Sequence, residues 1–250
     1  MRQEALALAA ALPRIILTSH AALPGHSFPP VDASASYAAA YLQGIQGRPA
    51  QPWQVLALDR YLALTVDHGM NASTFVARVV TSTGADLGAV VVAALGALSG
   101  PLHGGAPTGV LEMLDAIERP ERARDWLRRW ISDGKRVMGF GHRVYRTEDP
   151  RARSLKAVAL EIGGERAQLA LAVETAARAA LAELKLGREL HPNVEFWAAV
   201  ILEACAIPRS LFTATFCCSR AVGWTAHALE QLADNRIMRP TANYIGPLPA

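Results

Sequence analysis

Apolar residues return every three or four positions along almost the whole chain, and convincing apolar–polar alternation is absent. A repeat near 3.6 marks helices that bury one face, whereas half-buried strands repeat every second residue. Glycine and proline break the pattern at Leu23 to Pro30, Gly44 to Pro52, Gly100 to Pro107, Arg119-Pro120, Gly163-Gly164, Gly187 to Pro192 and Ile207-Pro208. The intervals predict helices near 33–43, 53–68, 72–83, 85–98, 108–117, 121–132, 151–162, 165–186, 194–206 and 211–232. Met1 to Leu17 reads as one more helix, buried and followed by a loop. Asp86 to Leu98 carries valine and alanine on every side, as a fully buried helix would. Helix 121–132 instead gathers Trp126 and Trp130 on one face, with Arg122 and Arg129 elsewhere. No unit of about 20–50 residues recurs, so a solenoid is excluded. The fold class is all-α, with short connections between packed helices.

Composition agrees with a packed interior. A chain of 250 residues that is 51% hydrophobic can bury a sizeable core. Its formal charge is +3, and no block of five or six like charges occurs, so nucleic acid is not implied as a partner. Basic side chains collected in one pocket for a polyanion account for the balance equally well. The three cysteines have no Cys-x-x-Cys spacing, which points away from a disulfide framework or a metal knuckle and towards a reducing cytoplasm. Glu4 and Pro13 argue against a signal peptide, and the lack of an 18-residue apolar run argues against a membrane span.

Candidate chemistry collects on histidines set among glycines. His103 stands in Gly100-Pro101-Leu102-His103-Gly104-Gly105-Ala106, and His142 in Gly139-Phe140-Gly141-His142, which is followed by Arg143, Arg146 and Arg151. Glycine lets a backbone approach a ligand closely, and arginines suit an anionic one. His103 precedes a predicted helix, whose positive end would keep the imidazole neutral and able to donate a proton. Asp149-Pro150 reads as a helix start that would fix the direction of Arg151. Glu195 opens the apolar helix Phe196 to Ala204, where it either complements the dipole or, partly desolvated, acts as a base. His68 either ends a helix or donates to a substrate oxygen, with Asn71 or Ser73 capping the next helix. Arg220 lies in a largely apolar helix, where a charge wants an anionic partner or a route to water. Arg236 and Arg239 read by default as a solvated tail.

These motifs, in this order from about Ala33 to Gly246, resemble the citrate synthase family. The resemblance implies a homodimer whose subunits have a large helical domain, here 1–104 and 207–250, and an inserted smaller one, 105–206. It implies condensation of acetyl-CoA with oxaloacetate, then hydrolysis of the citryl thioester, with no metal or redox cofactor. Glu195 would remove the methyl proton, His103 would stabilise the enolate, and His142 would polarise the oxaloacetate carbonyl. His68, His142, Arg151 and Arg220 would bind oxaloacetate, with Arg239 reaching into the partner subunit. Leu102, Val137, Met138, Gly139, Phe140, Gly141, Arg146 and Asn193 would contact CoA. Two departures stand out: glutamate at 195 where the family usually has aspartate, and a start well inside the usual family pattern. Alternatives are a 2-methylcitrate synthase using propionyl-CoA, a citryl-CoA lyase-like activity, and a catalytically weak paralogue that binds CoA or a carboxylate and regulates a partner.

Overall fold

The computed structural model describes residues 1–25, 34–101, 103–142, 144–184 and 190–247. Among them every regular element is helical, apart from one isolated antiparallel bridge between Phe140 and Pro192. The first five helices are α1 (Arg2–Ala21), α2 (Tyr37–Gln46), α3 (Pro52–Thr65), α4 (Ala72–Ser82) and α5 (Leu87–Leu98). After them come α6 (Ala106–Ile117), a 3-10 turn at Pro120–Arg122, α7 (Ala123–Ser132), α8 (Pro150–Ile162) and α9 (Gly164–Leu184). The chain closes with α10 (Val194–Ala204), a second 3-10 turn at Arg209–Leu211, and α11 (Phe212–Ala233).

Local chemistry explains several helix starts. Asn71, Asp86, Asp149 and Asn193 each accept a backbone N–H of the turn they precede, satisfying donors that a helix cannot pair internally. Packing then sorts the helices. The long α11 lies against α1, α3, α4 and α5, while α10 lies against α6, α8 and α3. Trp197, Trp224, Tyr41, Tyr61, Phe196 and Phe212 are fully enclosed between these layers.

Four sequence expectations are corrected. The helix 53–68 stops at Thr65, because Arg220 Nε takes the Thr65 carbonyl and Asp67 turns the chain by accepting from the Gly69 N–H. Gly44 lies inside α2 instead of opening a loop: a Cβ there would collide with Leu17, so this glycine serves close helix packing. α1 buries only Ala5, Leu12, Pro13 and Leu17, and leaves Leu6 and Ile15 exposed, so it is a surface helix. Likewise α5 buries Leu87, Val90, Val91, Ala94 and Leu98 on one side, while Val92 on the other is 70% exposed. Among the described residues no helix is long and apolar enough to cross a membrane.

Candidate active site

Three loops and three helices, α8, α10 and α11, converge on one site. The segment after Gly139 is strapped to the start of α10 by Asn193 N–H to the Gly139 carbonyl (2.8 Å), Gly141 N–H to the His191 carbonyl (2.9 Å) and Asn193 Nδ2 to the Gly141 carbonyl (2.9 Å). Gly139 has φ +76°, and a Cβ there would fall 2.7 Å from Phe196 Cβ, so the strap closes only around glycine. Asn193 also caps α10 by accepting the Glu195 N–H at 3.0 Å. This strapping ties the segment that leads into His142 to the cap of α10, two residues before Glu195.

His142 has a defined tautomer. Its Nδ1 accepts two backbone N–H groups, from Val144 (2.9 Å) and Tyr145 (3.1 Å), so the proton sits on Nε2. That Nε2 lies 3.4 Å from Arg151 Nη2, and a guanidinium only donates. Two donors therefore stand side by side, an arrangement that calls for acceptor oxygens. Arg151 is held by Asp149, whose buried carboxylate takes Arg151 Nε (3.1 Å), Nη2 (2.9 Å) and backbone N–H (3.0 Å) together with the Val194 N–H (3.1 Å). One carboxylate thus orients the arginine and anchors α10 one residue before Glu195. These donors draw the Asp149 pKa below its ordinary value in spite of burial.

His68 meets His142 edge-on at 5.0 Å between ring centroids, and its Nε2 is 3.2 Å from the Tyr145 hydroxyl. His103 Nε2 lies 2.9 Å from Ser73 Oγ, which donates to Asn71 Oδ1 (2.9 Å) and accepts from Trp224 Nε1 (3.1 Å). All three imidazoles are pushed towards neutrality, chiefly by burial. His68 falls to about 4, helped by the charges of Arg151 and His142. His103 is lowered also by Arg220, and His142 by Arg151 against the opposing pull of Asp149. The helix end expected to keep His103 neutral is present, with Gly105 preceding α6, and burial and the charge of Arg220 push the same way.

Glu195 is the counterpart. Burial lifts its carboxyl to about 7, opposed by the positive charges of Arg151 and Arg220. Arg220 is buried on α11, donates Nε to the Thr65 carbonyl and stacks on Phe216 at 4.7 Å. It has no ion-pair partner among the described residues. The site therefore offers neutral imidazole donors, two arginines for carboxylates, and one carboxyl that ionises near neutrality. Such a set can withdraw a proton from carbon and stabilise the resulting enolate oxygen.

A family model described as "Citrate synthase, C-terminal domain" matches residues 1–241. The chain belongs to the citrate synthase family. It is 48% identical over 219 residues to the protein named "Putative citrate synthase 2" from Mycobacterium tuberculosis, covering 88% of this chain and 58% of that one. It is 38% identical over 213 residues to the 2-methylcitrate synthase of Shewanella oneidensis, covering 84% of this chain and 55% of that one. Its fold matches a ternary complex of carboxymethyl coenzyme A and oxaloacetate with citrate synthase from Thermoplasma acidophilum. That match has a TM-score of 0.90 at 32% identity and covers 100% of this chain and 67% of that one. The chain spans somewhat under three fifths of the two curated relatives named above.

The site residues expected from the family resemblance fall into three groups. His68, His103, His142, Arg151, Arg220 and Glu195 converge as described. Arg239 stands exposed on the tail after α11, and no contact among the described residues joins it to the others. Of the expected CoA contacts, Val137 and Phe140 are buried in the core, Met138 packs over Gly109, and Arg146 is exposed. Gly139, Gly141 and Asn193 form the strap, while Leu102 and Arg143 lie outside the described residues. Sequence reasoning missed Tyr145 and the Ser73 link to His103. The Tyr145 hydroxyl was legible only as part of a basic loop, and Ser73 only as a helix-cap candidate.

Proposed function

We propose that the chain performs the condensation of acetyl-CoA with oxaloacetate to citrate and CoA. The observation that carries this reading is the donor pair of His142 Nε2–H and Arg151 Nη2, 3.4 Å apart. A keto acid fits there, with its carbonyl oxygen on His142 and its carboxylates on Arg151, Arg220 and His68. As carbon attacks, that oxygen becomes negative, and a donor already in position costs no reorganisation. Glu195, lifted to about 7, takes the methyl proton of the acyl-CoA. Its pKa lies near working pH, where a general base is most effective. His103 stabilises the enolate oxygen. Its Nε2–H is held on Ser73 Oγ, whose one hydroxyl proton goes to Asn71 Oδ1.

CoA runs along the backbone of 137–141, with Arg146 and Asn193 beside it. Residues 1–104 and 207–250 form the large domain and 105–206 the small one. Arg209, just past that boundary, binds Asp115 of α6 and Glu203 of α10. The exposed apolar side of α5 is covered by a second copy of the chain, and Arg239 enters the neighbour's site. The setting is a reducing cytoplasm, in keeping with three free, buried cysteines.

A 2-methylcitrate synthase is the second reading, favoured by the Shewanella relative. One extra methyl is worth only about 1–3 kcal/mol in a pocket, so the two readings share this geometry. The test is thiol release with oxaloacetate, comparing acetyl-CoA with propionyl-CoA. Acetyl preference is the expected result, propionyl preference selects the second reading, and release with neither refutes both.

A further inference from the structure

The loop that presents His68 is held from below by one stripe of α11. Arg220 Nε donates to the Thr65 carbonyl at 2.9 Å. Three residues on, Gly223 lies so close that a Cβ would collide with the Val66 carbonyl oxygen. One turn further, His227 Nε2 lies 3.0 Å from Asp67 Oδ1. Positions 220, 223 and 227 share a helix face, and they meet the backbone of 65 and 66 and the side chain of 67 in order. The second Asp67 oxygen, Oδ2, accepts the Gly69 N–H at 3.1 Å. The Asp67 carboxylate is thus pinned at one end by His227 and pins the turn around His68 at the other.

Arg78 of α4 decides which nitrogen of His227 carries the proton. Its Nε donates to His227 Nδ1 at 3.0 Å, its Nη1 donates to Gln231 Oε1 at 3.1 Å, and its Nη2 pairs with Glu230. A guanidinium cannot accept, so Nδ1 must be bare and Nε2 must hold the hydrogen given to Asp67. None of these four side chains belongs to the site described above.

We propose that His227 is a positioning residue for His68, locked by Arg78 in the Nε2–H tautomer so that Asp67 holds the His68 loop against α11. The assignment rests on the reading of His68 as an oxaloacetate ligand. The chain of contacts runs from Glu230 through Arg78, His227 and Asp67 to the backbone beside His68. It fixes the approach of that imidazole to Tyr145 and His142. Its effect falls on the dicarboxylate, because His68 faces the His142–Arg151 side of the site, while His103 is held separately by Ser73 and Trp224.

The test compares His227→Phe, which keeps the ring's bulk without a donor, with His227→Gln, which restores a donor near Asp67. His227→Phe is expected to raise the oxaloacetate KM and the calorimetric Kd by on the order of tenfold, the loss of one charge-assisted hydrogen bond. The acyl-CoA KM should stay within about twofold, and Gln should recover most of the loss. Imidazole nitrogen NMR of the unliganded wild-type chain should show His227 with Nδ1 bare and Nε2 protonated, and Arg78→Leu should mix the tautomers. Three results overturn the proposal: Phe with unchanged oxaloacetate affinity, Gln no better than Phe, or wild-type His227 protonated on Nδ1. Wild-type protein that binds no oxaloacetate overturns the dicarboxylate reading itself, and with it the role given to His227. The NMR signature reports on the relay separately from that failure.

Discussion

Replacing Glu195 by glutamine should stabilise the fold while abolishing proton abstraction, and the two effects share one cause. Burial raises the Glu195 carboxyl from its ordinary 4.5 to about 7, with Arg151 and Arg220 opposing the rise. At about 1.4 kcal/mol per pH unit, the ionised form is disfavoured in the folded chain by up to roughly 3 kcal/mol. This is an upper bound, since the residue retains some exposure on α10. The sign follows from proton counting: the folded state binds the proton more tightly than the unfolded state. The associated stability is full below 4.5 and is lost as pH rises through about 7. Glutamine mimics the protonated acid at every pH. Its advantage over wild type should therefore grow by about 2.5 kcal/mol between about pH 5 and about pH 8. Urea unfolding of both proteins at the two pH values measures this directly. In parallel, exchange of the acyl-CoA methyl protons should rise through pH 7 in wild type and be absent in Glu195→Gln. A glutamine advantage that is flat with pH would refute the desolvation argument, and unchanged proton exchange would refute the base assignment.

Other consequences follow from named contacts. Glu174 is buried and bound by Lys156 Nζ and Trp197 Nε1, each at 2.9 Å. Lys156→Met leaves that carboxylate without its cation and should cost about 3 kcal/mol in urea unfolding; a loss below about 0.5 kcal/mol would contradict the burial argument. Glu195→Asp withdraws the base by one methylene, and should slow condensation on the order of 100-fold while oxaloacetate binding holds. An undiminished rate would show that α10 tolerates either reach. Val92→Asp, on the exposed apolar side of α5, should yield monomers in analytical ultracentrifugation; an intact dimer would place the interface elsewhere. Mixing Arg239→Ala chains with Glu195→Gln chains should restore activity through hybrid dimers, because one of the two sites then carries neither defect. Hybrids that stay inactive would exclude sharing of Arg239.

Sequence alone determined the helices and named most of the residues that gather in the candidate site, because those signals are local. A 3.6-residue apolar repeat, a cap such as Asn71, Asp149 or Asn193, and a glycine beside a histidine all act within one or two turns, and each is visible in a short window. The exposure of Val92 and of α1 was hidden because apolar content does not say which side of a helix a neighbour covers. Gly44 misled for a related reason: a glycine that admits Leu17 to a helix is written like one that ends it. Tertiary structure decided which residues complete the site. Asp149 reaches Val194 across 45 positions, and Arg78 reaches His227 across 149. Such bonds leave no periodic trace, since a hydrogen bond depends on distance in space and not on separation along the chain. The ionisation of Glu195 belongs to the same class. Its residue type was legible, but its shift from 4.5 to about 7 depends on how much water the packed helices exclude.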